Sequence, residues 1–203
     1  MEKVIVGVCI AVAGWLVTHF SRLHFEKRSA QLSRVNEQLG KLYGPLMATI
    51  TASHETWVAF SKEYWPTHGM PGYFGTGQDQ LSQDELEIWR TWILNVFHPL
   101  NEKVERVIIE NIHLIDGEDI PEAFTQALAH VSAYRAVIAQ WQKGNFSHHV
   151  SVNNWPTKKL RSAVMPVFKK LSEKQTKLLG EKSSQVEAKR LQRFFQDSSN
   201  PKL

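Results

Sequence analysis

Apolar side chains recur every three or four positions along most of the chain, which is the spacing of one helical face. The first such stripe contains Leu32, Val35, Leu39, Leu42, Leu46, Ile50, Ser53, Trp57, Phe60 and Tyr64. It keeps its phase across Pro45, although a proline in a helix interior removes one backbone hydrogen bond. We therefore predict a kinked but continuous helix through Pro45. The alternative is a break, with Pro45 in the first turn of a new helix.

Two further prolines lie inside apolar stripes, in "VFHPLNEKV" and in "SAVMPVFKKL". The segments "YGPL" and "FHPL" share the order aromatic residue, any residue, proline, leucine. We predict helix hinges at Gly44, Pro45, Pro99 and Pro166, because sharp helix kinks are usually found at proline. Two bent helices could then pack with their kinks against each other.

The remaining signals predict more helices, and no alternating strand pattern of useful length occurs. Ser82 and Glu85 have the spacing of a capping box at the start of a second long stripe. A glycine-rich loop is predicted at 65–80, and helices are predicted at 22–64, 82–115, 121–142 and 157–180. The predicted fold class is all-α: an N-terminal transmembrane helix continuing into a bundle of about four or five long, proline-kinked helices.

The most apolar stretch is N-terminal, "VIVGVCIAVAGWLVTHF" at 4–20, with no acid, lysine or arginine. As a helix it is about 25 Å long, and flanking turns can extend it towards the ~30 Å of a hydrocarbon core. We predict a transmembrane anchor at 1–21, followed by a helical bundle domain at 22–180. A cleaved signal peptide with an A-x-A site at 11–13 and a buried globular helix are the alternatives.

Positive charge follows the predicted anchor, at Arg22, Lys27, Arg28 and Arg34, whereas only Lys3 precedes it. Positively charged flanks stay on the cytoplasmic side of a membrane. We therefore predict a single-pass protein of the inner (cytoplasmic) membrane, with its C-terminal body in the cytoplasm.

Small residues lie on one face of the predicted anchor, at Gly7, Ala11 and Gly14. Such residues let two membrane helices approach closely, so this face predicts oligomerisation through the span. The alternative is that glycine and alanine are simply common in membrane helices.

Charge is uneven along the rest of the chain. Residues 79–122 hold 11 acids and three bases, net −8, and residues 157–203 hold 12 bases and four acids, net +8. The two segments could attract each other, the basic one could face anionic lipid, or it could bind nucleic acid, although stacking aromatics between its lysines are lacking. The candidates for lipid contact are Lys158, Lys159, Arg161, Lys169 and Lys170. A basic, partly disordered tail is predicted at 181–203.

Catalytic constellations are few. Glu110 and His113 form one E-x-x-H pair, but a di-iron bundle needs a second pair and two more carboxylates. Arg106 and His113 match the loose R-x(4–6)-H pattern of HEPN ribonucleases, although Val107 stands where a polar residue is usual. Phosphate-loop, nucleophile-elbow and cysteine-rich metal motifs are absent from the sequence, whose one cysteine is Cys9. We expect no metal site and no cofactor.

One polar group interrupts an apolar helix face in "HVSAYRAVIAQW". His130 and Tyr134 are four positions apart, with Arg135 beside them, and these three residues are candidates for a polar site inside the bundle. The alternative is a core histidine paired with Tyr134 or with a carboxylate of the acidic segment. The sequence favours this alternative, because no nucleophile or second base is identifiable nearby.

Four segments, "VNEQLGKLYGPLMA", "VFHPLNEKV", "ALAHVSAYRAVIAQW" and "FSHHVSVNNWP", resemble a group of uncharacterised bacterial proteins with one N-terminal membrane span and a helical cytoplasmic domain. The resemblance covers roughly residues 30–180. It implies an anchored bundle and carries no activity, cofactor or partner.

The sequence as a whole predicts a membrane-anchored, self-associating helical scaffold or effector protein without catalytic activity. Its expected partners are membrane lipid and either further copies of itself or the other subunits of a membrane complex, and nucleic acid is not expected. The alternative is a membrane-tethered enzyme, HEPN-like or metal-dependent, that uses Arg106, Glu110 and His113.

Overall fold

The computed structural model describes residues 2–64 and 81–180, with side chains described for residue 12 and from residue 14 onward in these ranges. The loop predicted at 65–80 and the tail predicted at 181–203 lie outside the described residues. Within the described ranges the regular structure is entirely helical and contains no strand, so the all-α class is confirmed.

The described helical elements follow one another with few connecting residues. They are α1 (Glu2–Glu37), the π-helical segment π1 (Gln38–Tyr43), α2 (Gly44–Tyr64), α3 (Gln83–Trp92), the π-helical segment π2 (Ile93–Phe97), α4 (His98–Glu110), a 3₁₀ turn (Ile112–Leu114), α5 (Glu122–Gln142) and α6 (Thr157–Leu179). The chain is therefore helical without interruption through both Pro45 and Pro99.

Across the described residues, we find no helix with the combined length and apolar character needed to cross a membrane. Most side chains of the anchor predicted at 1–21 lie outside the described ones. The helical backbone at this end of the chain belongs to α1.

The chain divides into two compact units, one made of Met1–Glu37 with Lys170–Leu203 and the other of Gln38–Lys169. In the first unit, the guanidinium of Arg28 donates hydrogen bonds of 2.9 and 2.7 Å to the carbonyl of Leu178. A cation at this position is stabilised by the negative end of the α6 dipole. These bonds join the middle of α1 to the last turn of α6.

In the second unit, α2 packs against α4, and α4 also contacts π1 and α5. The buried core beside these contacts is rich in aromatic side chains; it contains Phe60, Trp89, Ile93, Phe97, Tyr134, Val137 and Trp141. The apolar stripe predicted on the first long helix faces inward here, because Leu42, Leu46, Ile50 and Phe60 are all buried.

The backbone geometry at the junction of π1 and α2 explains why "YGPL" contains a glycine. A Cβ atom on Gly44 would lie 2.4 Å from the carbonyl oxygen of Leu39, much closer than a van der Waals contact. Only glycine therefore fits this backbone, and Pro45 follows as the second residue of α2. The π-helical turn absorbs the proline without a loop, so Pro45 does not separate two independent helices.

The second proline motif uses the same backbone arrangement. The N–H of His98 donates to the carbonyl of Ile93, five residues back, and Pro99 is the second residue of α4. Pro166 differs, because it lies inside α6 with no π-helical segment before it. Two of the three predicted hinges therefore coincide with π-helical turns.

The capping box predicted at the start of α3 is confirmed. The hydroxyl of Ser82 accepts a 3.2 Å hydrogen bond from the backbone N–H of Glu85, and the Glu85 carboxylate accepts a 2.8 Å bond from the N–H of Ser82. Two of the N–H groups that a helix start leaves unpaired are thus satisfied locally.

Candidate functional site

A cavity of about 420 Å³ lies inside the second unit. Its walls come from α2, from α3 with π2, from α4 and α5, and from residues 150–155 of the loop that leads to α6. The side chains that determine its chemistry are Trp57, Trp89, Phe97, His130, Tyr134 and Trp155. The lining combines these aromatic rings with several polar side chains, and concave sites that combine apolar walls with polar groups are typical of small-molecule binding.

Aromatic packing forms one side of the cavity. Trp57 meets Trp89 and Phe97 edge to face, with ring centroids 6.2 and 5.4 Å apart. The buried ring of Phe60 lies behind them, 5.9 Å from Trp57 and 5.6 Å from Phe97. Edge-to-face pairs of this kind stabilise a core beyond the area they bury. The wall is consequently preformed by side chains that hold one another in place.

The loop between α5 and α6 is held by three aromatic donors on two consecutive carbonyls. The carbonyl of His149 accepts from the Trp89 indole at 2.7 Å and from the Tyr134 hydroxyl at 3.3 Å. The carbonyl of His148 accepts from the Trp141 indole at 2.7 Å. Buried Trp and Tyr groups need such partners, and here they position the loop segment that lines the cavity.

His130 of α5 contributes the main polar atom of the cavity. Its Nδ1 lies 2.5 Å from the carbonyl oxygen of Asn153. Burial lowers the pKa of His130, an effect opposed by the Asn153 carbonyl and reinforced by the nearby His98. The ring is therefore neutral at pH 7, and because Nδ1 must donate to the carbonyl, Nε2 carries no proton and can accept a hydrogen bond.

Tyr134 lies one turn further along α5 and packs against His130, with ring centroids 5.2 Å apart. Burial raises the pKa of its phenol, and a hydrogen-bond contribution from Trp89 acts in the opposite direction. The phenol stays protonated at physiological pH and donates to the His149 carbonyl. Tyr134 is thus a structural donor and is not poised to act as a base.

Trp155 closes the cavity on the loop side. Its ring meets His130 edge to face at 5.3 Å. The indole Nε1 is buried, and none of the described residues lies within hydrogen-bond distance of it. A buried donor without an acceptor is destabilising by about 1–3 kcal/mol, a cost that the aromatic packing of Trp155 against His130 offsets in part.

Formal charge is missing from the cavity as far as its walls are described. The described lining residues include no Asp, Glu, Lys or Arg; their polar members include Asn101, Ser151, Asn153 and Thr157. An ion inside such a cavity would lose its hydration without gaining a counter-ion. The chemistry of the cavity is that of neutral donors, neutral acceptors and aromatic faces.

The third residue of the predicted polar group lies elsewhere. Arg135 is exposed and donates to both oxygens of Glu105, at 3.0 Å for one and shorter for the other. It also donates to Glu102 at 3.2 Å, and the same carboxylate lies 3.4 Å from Nε2 of His98. This cluster joins α4 to α5. The structure therefore brings His130 and Tyr134 to the cavity and separates Arg135 from it.

The sequence-based alternative at Arg106, Glu110 and His113 does not form a continuous helical face. α4 ends at Glu110, and His113 lies in the following 3₁₀ turn. Arg106 and His113 are both exposed. α4 thus ends between Arg106 and His113, so no regular helix joins the two residues. Among the described residues, no group of three His, Cys, Asp or Glu side chains could hold a metal ion.

The other predicted positions have simple surroundings. The surroundings of Gly7 and Ala11 lie outside what the structure describes. Gly14 is exposed, with open space where a Cβ would be. The five predicted lipid-facing residues are all exposed on α6; they are Lys158, Lys159, Arg161, Lys169 and Lys170. Lys159 lies 3.2 Å from Glu122 of α5, an ion pair between the basic and acidic segments.

Sequence reasoning identified His130 but missed its partner. The expected partner was Tyr134 or a carboxylate, whereas the structure supplies the backbone carbonyl of Asn153. Asn153 and Trp155 lie in "SVNNWP", a loop that has no periodicity to reveal which way its groups face. The one available signal was the cluster of asparagines next to a tryptophan, a composition that is unusual for a plain linker.

Comparisons with protein-family models, with curated proteins and with solved structures found no match.

Proposed function

We propose that the protein is a membrane-anchored helical scaffold or effector protein without catalytic activity. Its anchor is the N-terminal part of α1, which spans the inner membrane. Its body lies in the cytoplasm. The observation that carries this proposal is the exposure of large apolar side chains on α1.

These exposed side chains are numerous on the described part of α1; they are Val12, Trp15, Leu16, Val17, Phe20, Leu23 and Phe25. Val17 is 68% exposed and Phe25 is 72% exposed. At about 100° per residue, the consecutive residues Trp15, Leu16 and Val17 point in well-separated directions and do not form one stripe. A helix that is apolar all round belongs inside a protein or a membrane, so this segment supports a lipid environment.

The polar groups of this segment also fit a lipid environment. The hydroxyl of Thr18 donates a 2.8 Å hydrogen bond to the carbonyl of Gly14 four residues earlier, which satisfies it within the helix. The first charged residue of the described side chains is Arg22, paired with Glu26 at 2.8 Å. The change from apolar to charged side chains after Phe20 supports a boundary near 21, with the basic side cytoplasmic.

The absence of catalysis is proposed from what the polar groups already do. The imidazole of His130 and the phenol of Tyr134 hold the loop between α5 and α6 through backbone carbonyls. Arg135 is bound to two carboxylates, Glu102 and Glu105. These side chains have structural partners, which supports a binding or scaffolding role for the body.

Self-association through the span is the second part of the proposal. Gly14 is exposed and has no described atom within 4 Å of a Cβ built on it, so another helix could approach there. Association with further copies of this chain, or with another subunit of a membrane complex, would also shield the exposed apolar side chains.

The anchor is tested by placing charge on α1. Val12→Lys combined with Val17→Lys changes two exposed side chains, so the folded body should be unaffected. A lysine near the centre of a membrane helix costs about 3 kcal/mol. We expect the unaltered chain in the carbonate-resistant membrane fraction and the double variant in the soluble fraction. Val152→Lys is the matched control, because Val152 is 90% exposed and lies outside α1.

Recovery of the unaltered chain in the soluble fraction would rule out the anchor. Retention of the double variant in the membrane would show that another part of the chain holds it there. An alkaline phosphatase fused after Leu203 should be inactive in a bacterial host, and periplasmic activity would reverse the proposed orientation.

Self-association is tested with Gly14→Leu. The structure leaves room for the new side chain within one chain, so only a close approach of two helices is blocked. We expect cross-linking of this variant in mild detergent to yield only the monomer. Ala30→Leu, an exposed small-to-large change further along α1, is the control. Unchanged cross-linking in Gly14→Leu would remove this face from the proposal.

The enzymatic alternative has no specific observation in its favour. Purified protein should leave RNA intact and should carry no stoichiometric metal. RNA cleavage that disappears in Arg106→Ala would instead establish the ribonuclease alternative.

A further inference from the structure

We propose that the cavity of the second unit binds a small, uncharged, flat aromatic molecule with a phenol-type hydroxyl, whose O–H donates to Nε2 of His130. This binding site is independent of the membrane anchor. The inference follows from the size of the cavity, from its aromatic side chains, from the absence of Asp, Glu, Lys and Arg in its described lining and from the unused hydrogen-bonding capacity of His130.

Size and shape favour a small ligand. A volume of about 420 Å³ lies in the range of ligand sites in proteins and is far too small for a peptide helix. Trp57, Trp89 and Phe97 present ring faces and edges to the same space. Flat aromatic molecules gain most from such walls, because offset stacking and edge-to-face contacts add to the burial of apolar area.

Charge excludes ionised ligands. The described walls contain no acidic side chain, lysine or arginine; their two histidines are His54 and His130, and the His130 ring is neutral because burial holds its pKa below the usual value. An ammonium or a carboxylate would therefore lose hydration without compensation. The cluster of Arg135, Glu102 and Glu105 contributes no side chain to the described lining, and its one guanidinium bonds both carboxylates.

Hydrogen bonding selects the hydroxyl. His130 uses Nδ1–H for the carbonyl of Asn153, and none of the described residues donates to its Nε2. A phenolic O–H can donate to this nitrogen. The Trp155 ring lies 5.3 Å from the His130 ring, centroid to centroid, and places an aromatic surface beside it. A hydroxyl on an aromatic ring thus matches both residues.

The first experiment needs no variant. The full chain, purified in mild detergent, is titrated calorimetrically at pH 7 with 2-naphthol, after subtraction of a detergent blank. We expect saturable binding at one site per chain. 2-Methoxynaphthalene keeps the rings but cannot donate, and should bind at least tenfold more weakly. 2-Naphthoate keeps the rings but is charged, and should not bind measurably. Equal affinity for all three, or no saturable binding of 2-naphthol, would overturn the proposal.

Two substitutions at His130 separate ligand binding from loop anchoring. In His130→Asn, the amide can still donate from the position of Nδ1 to the Asn153 carbonyl, but the acceptor at Nε2 is lost. In His130→Gln, the amide reaches towards the position of Nε2, and the bond to the loop is lost. We expect His130→Asn to keep its melting temperature and lose at least tenfold in 2-naphthol affinity.

His130→Gln should show the opposite pattern, with a lower melting temperature and the smaller loss of 2-naphthol affinity. Trp155→Phe keeps an aromatic ring beside His130 but loses part of the indole surface that lines the cavity, and it should weaken 2-naphthol binding several-fold. Trp15→Phe, outside the cavity, should leave it unchanged. Unaltered binding of 2-naphthol to folded His130→Asn would show that Nε2 does not contact the hydroxyl and would overturn the assignment.

Discussion

In the two regions where an α-helix follows a π-helical segment, the second residue of the new helix is proline, but the residue before it differs. In the first region it is Gly44, and in the second it is His98. At Gly44 the Leu39 carbonyl occupies the space of a Cβ. At His98 a whole imidazole fits, buried between Tyr134 and Glu102.

The difference teaches that the π-helical turn itself does not require glycine. The requirement arises where the carbonyl five residues back closes onto the Cα, as the Leu39 carbonyl does at Gly44. The second region leaves that space open and fills it with a side chain that contacts two other helical residues. One backbone arrangement thus gives a tight local contact in one place and a tertiary contact in the other.

The largest effect that tests this comparison is expected at Gly44. Gly44→Ala forces the Cβ against a backbone oxygen, and we expect a loss of about 3 kcal/mol in the free energy of unfolding. His98→Ala should cost less, about 1–2 kcal/mol, because the void it leaves is offset by removing a ring nitrogen without a described partner. Urea denaturation measures both values.

Gly40→Ala is the matched control for Gly44→Ala. Gly40 is exposed, and no described atom lies within 4 Å of a Cβ built there. Alanine has the higher helix propensity, so a gain of up to about 1 kcal/mol is expected. A Gly44→Ala variant as stable as Gly40→Ala would show that the close contact relaxes without cost.

An intermediate effect is expected at the prolines. Pro45 and Pro99 both lie in the first turn of a helix, where the missing N–H is tolerated. Replacing either with alanine should change the free energy of unfolding by less than about 1 kcal/mol. Pro166 lies inside α6 and is exposed, so Pro166→Ala should stabilise by about 1–3 kcal/mol. Equal changes in the free energy of unfolding at all three prolines would mean that the π-helical turns do not reduce the cost of placing a proline in a helix.

The smallest effect concerns pH and His98. Burial lowers its pKa from 6.5; Glu102 opposes this shift, Arg135 reinforces it, and Glu105 opposes it. Below pH 6.5 the unfolded chain takes up a proton first, so stability falls as the pH falls through this range, until the folded state is protonated as well. We expect this loss as the pH falls through 6.5, with a shallower slope in His98→Asn.

Two other histidines also contribute to the pH dependence of the free energy of unfolding. Burial also lowers the pKa of His130 and of His149, so both act in the same direction as His98. The Gly44→Ala variant keeps all three histidines and should show the slope of the unaltered chain, displaced to lower stability. A slope in His98→Asn equal to that of the unaltered chain would mean that His98 is not protonated differently in the two states.

Periodic features of this fold could be predicted, because they repeat along the chain. The stripe that crosses Pro45 indicated continuous helix, and the spacing of Ser82 and Glu85 indicated the start of α3; the structure has both. One sequence feature marked the π-helical turns, namely the residue order shared by "YGPL" and "FHPL". Their different tolerance of a side chain was invisible, because it depends on the position of one backbone oxygen.

The candidate site was predictable only in part. His130 and Tyr134 were found because two polar groups interrupt an apolar face. Asn153 acts through its backbone, and a backbone carbonyl is the same in every residue, so no sequence pattern marks it. Arg135 was placed with them because it is adjacent in sequence, but one residue along a helix is a turn of about 100°, which brought it to the carboxylates of α4.

The three aromatic donors on the loop between α5 and α6 contact the carbonyls of His148 and His149, not their imidazoles. The identity of these two residues is therefore weakly constrained by the anchoring, whereas their distance along the chain from Trp141 is strongly constrained. Homologues should conserve the loop length between Trp141 and His149 more strictly than the identity of either histidine. Insertion of a single residue there would displace both acceptor carbonyls from their three donors at once, which makes this segment more sensitive to a change in length than to substitution.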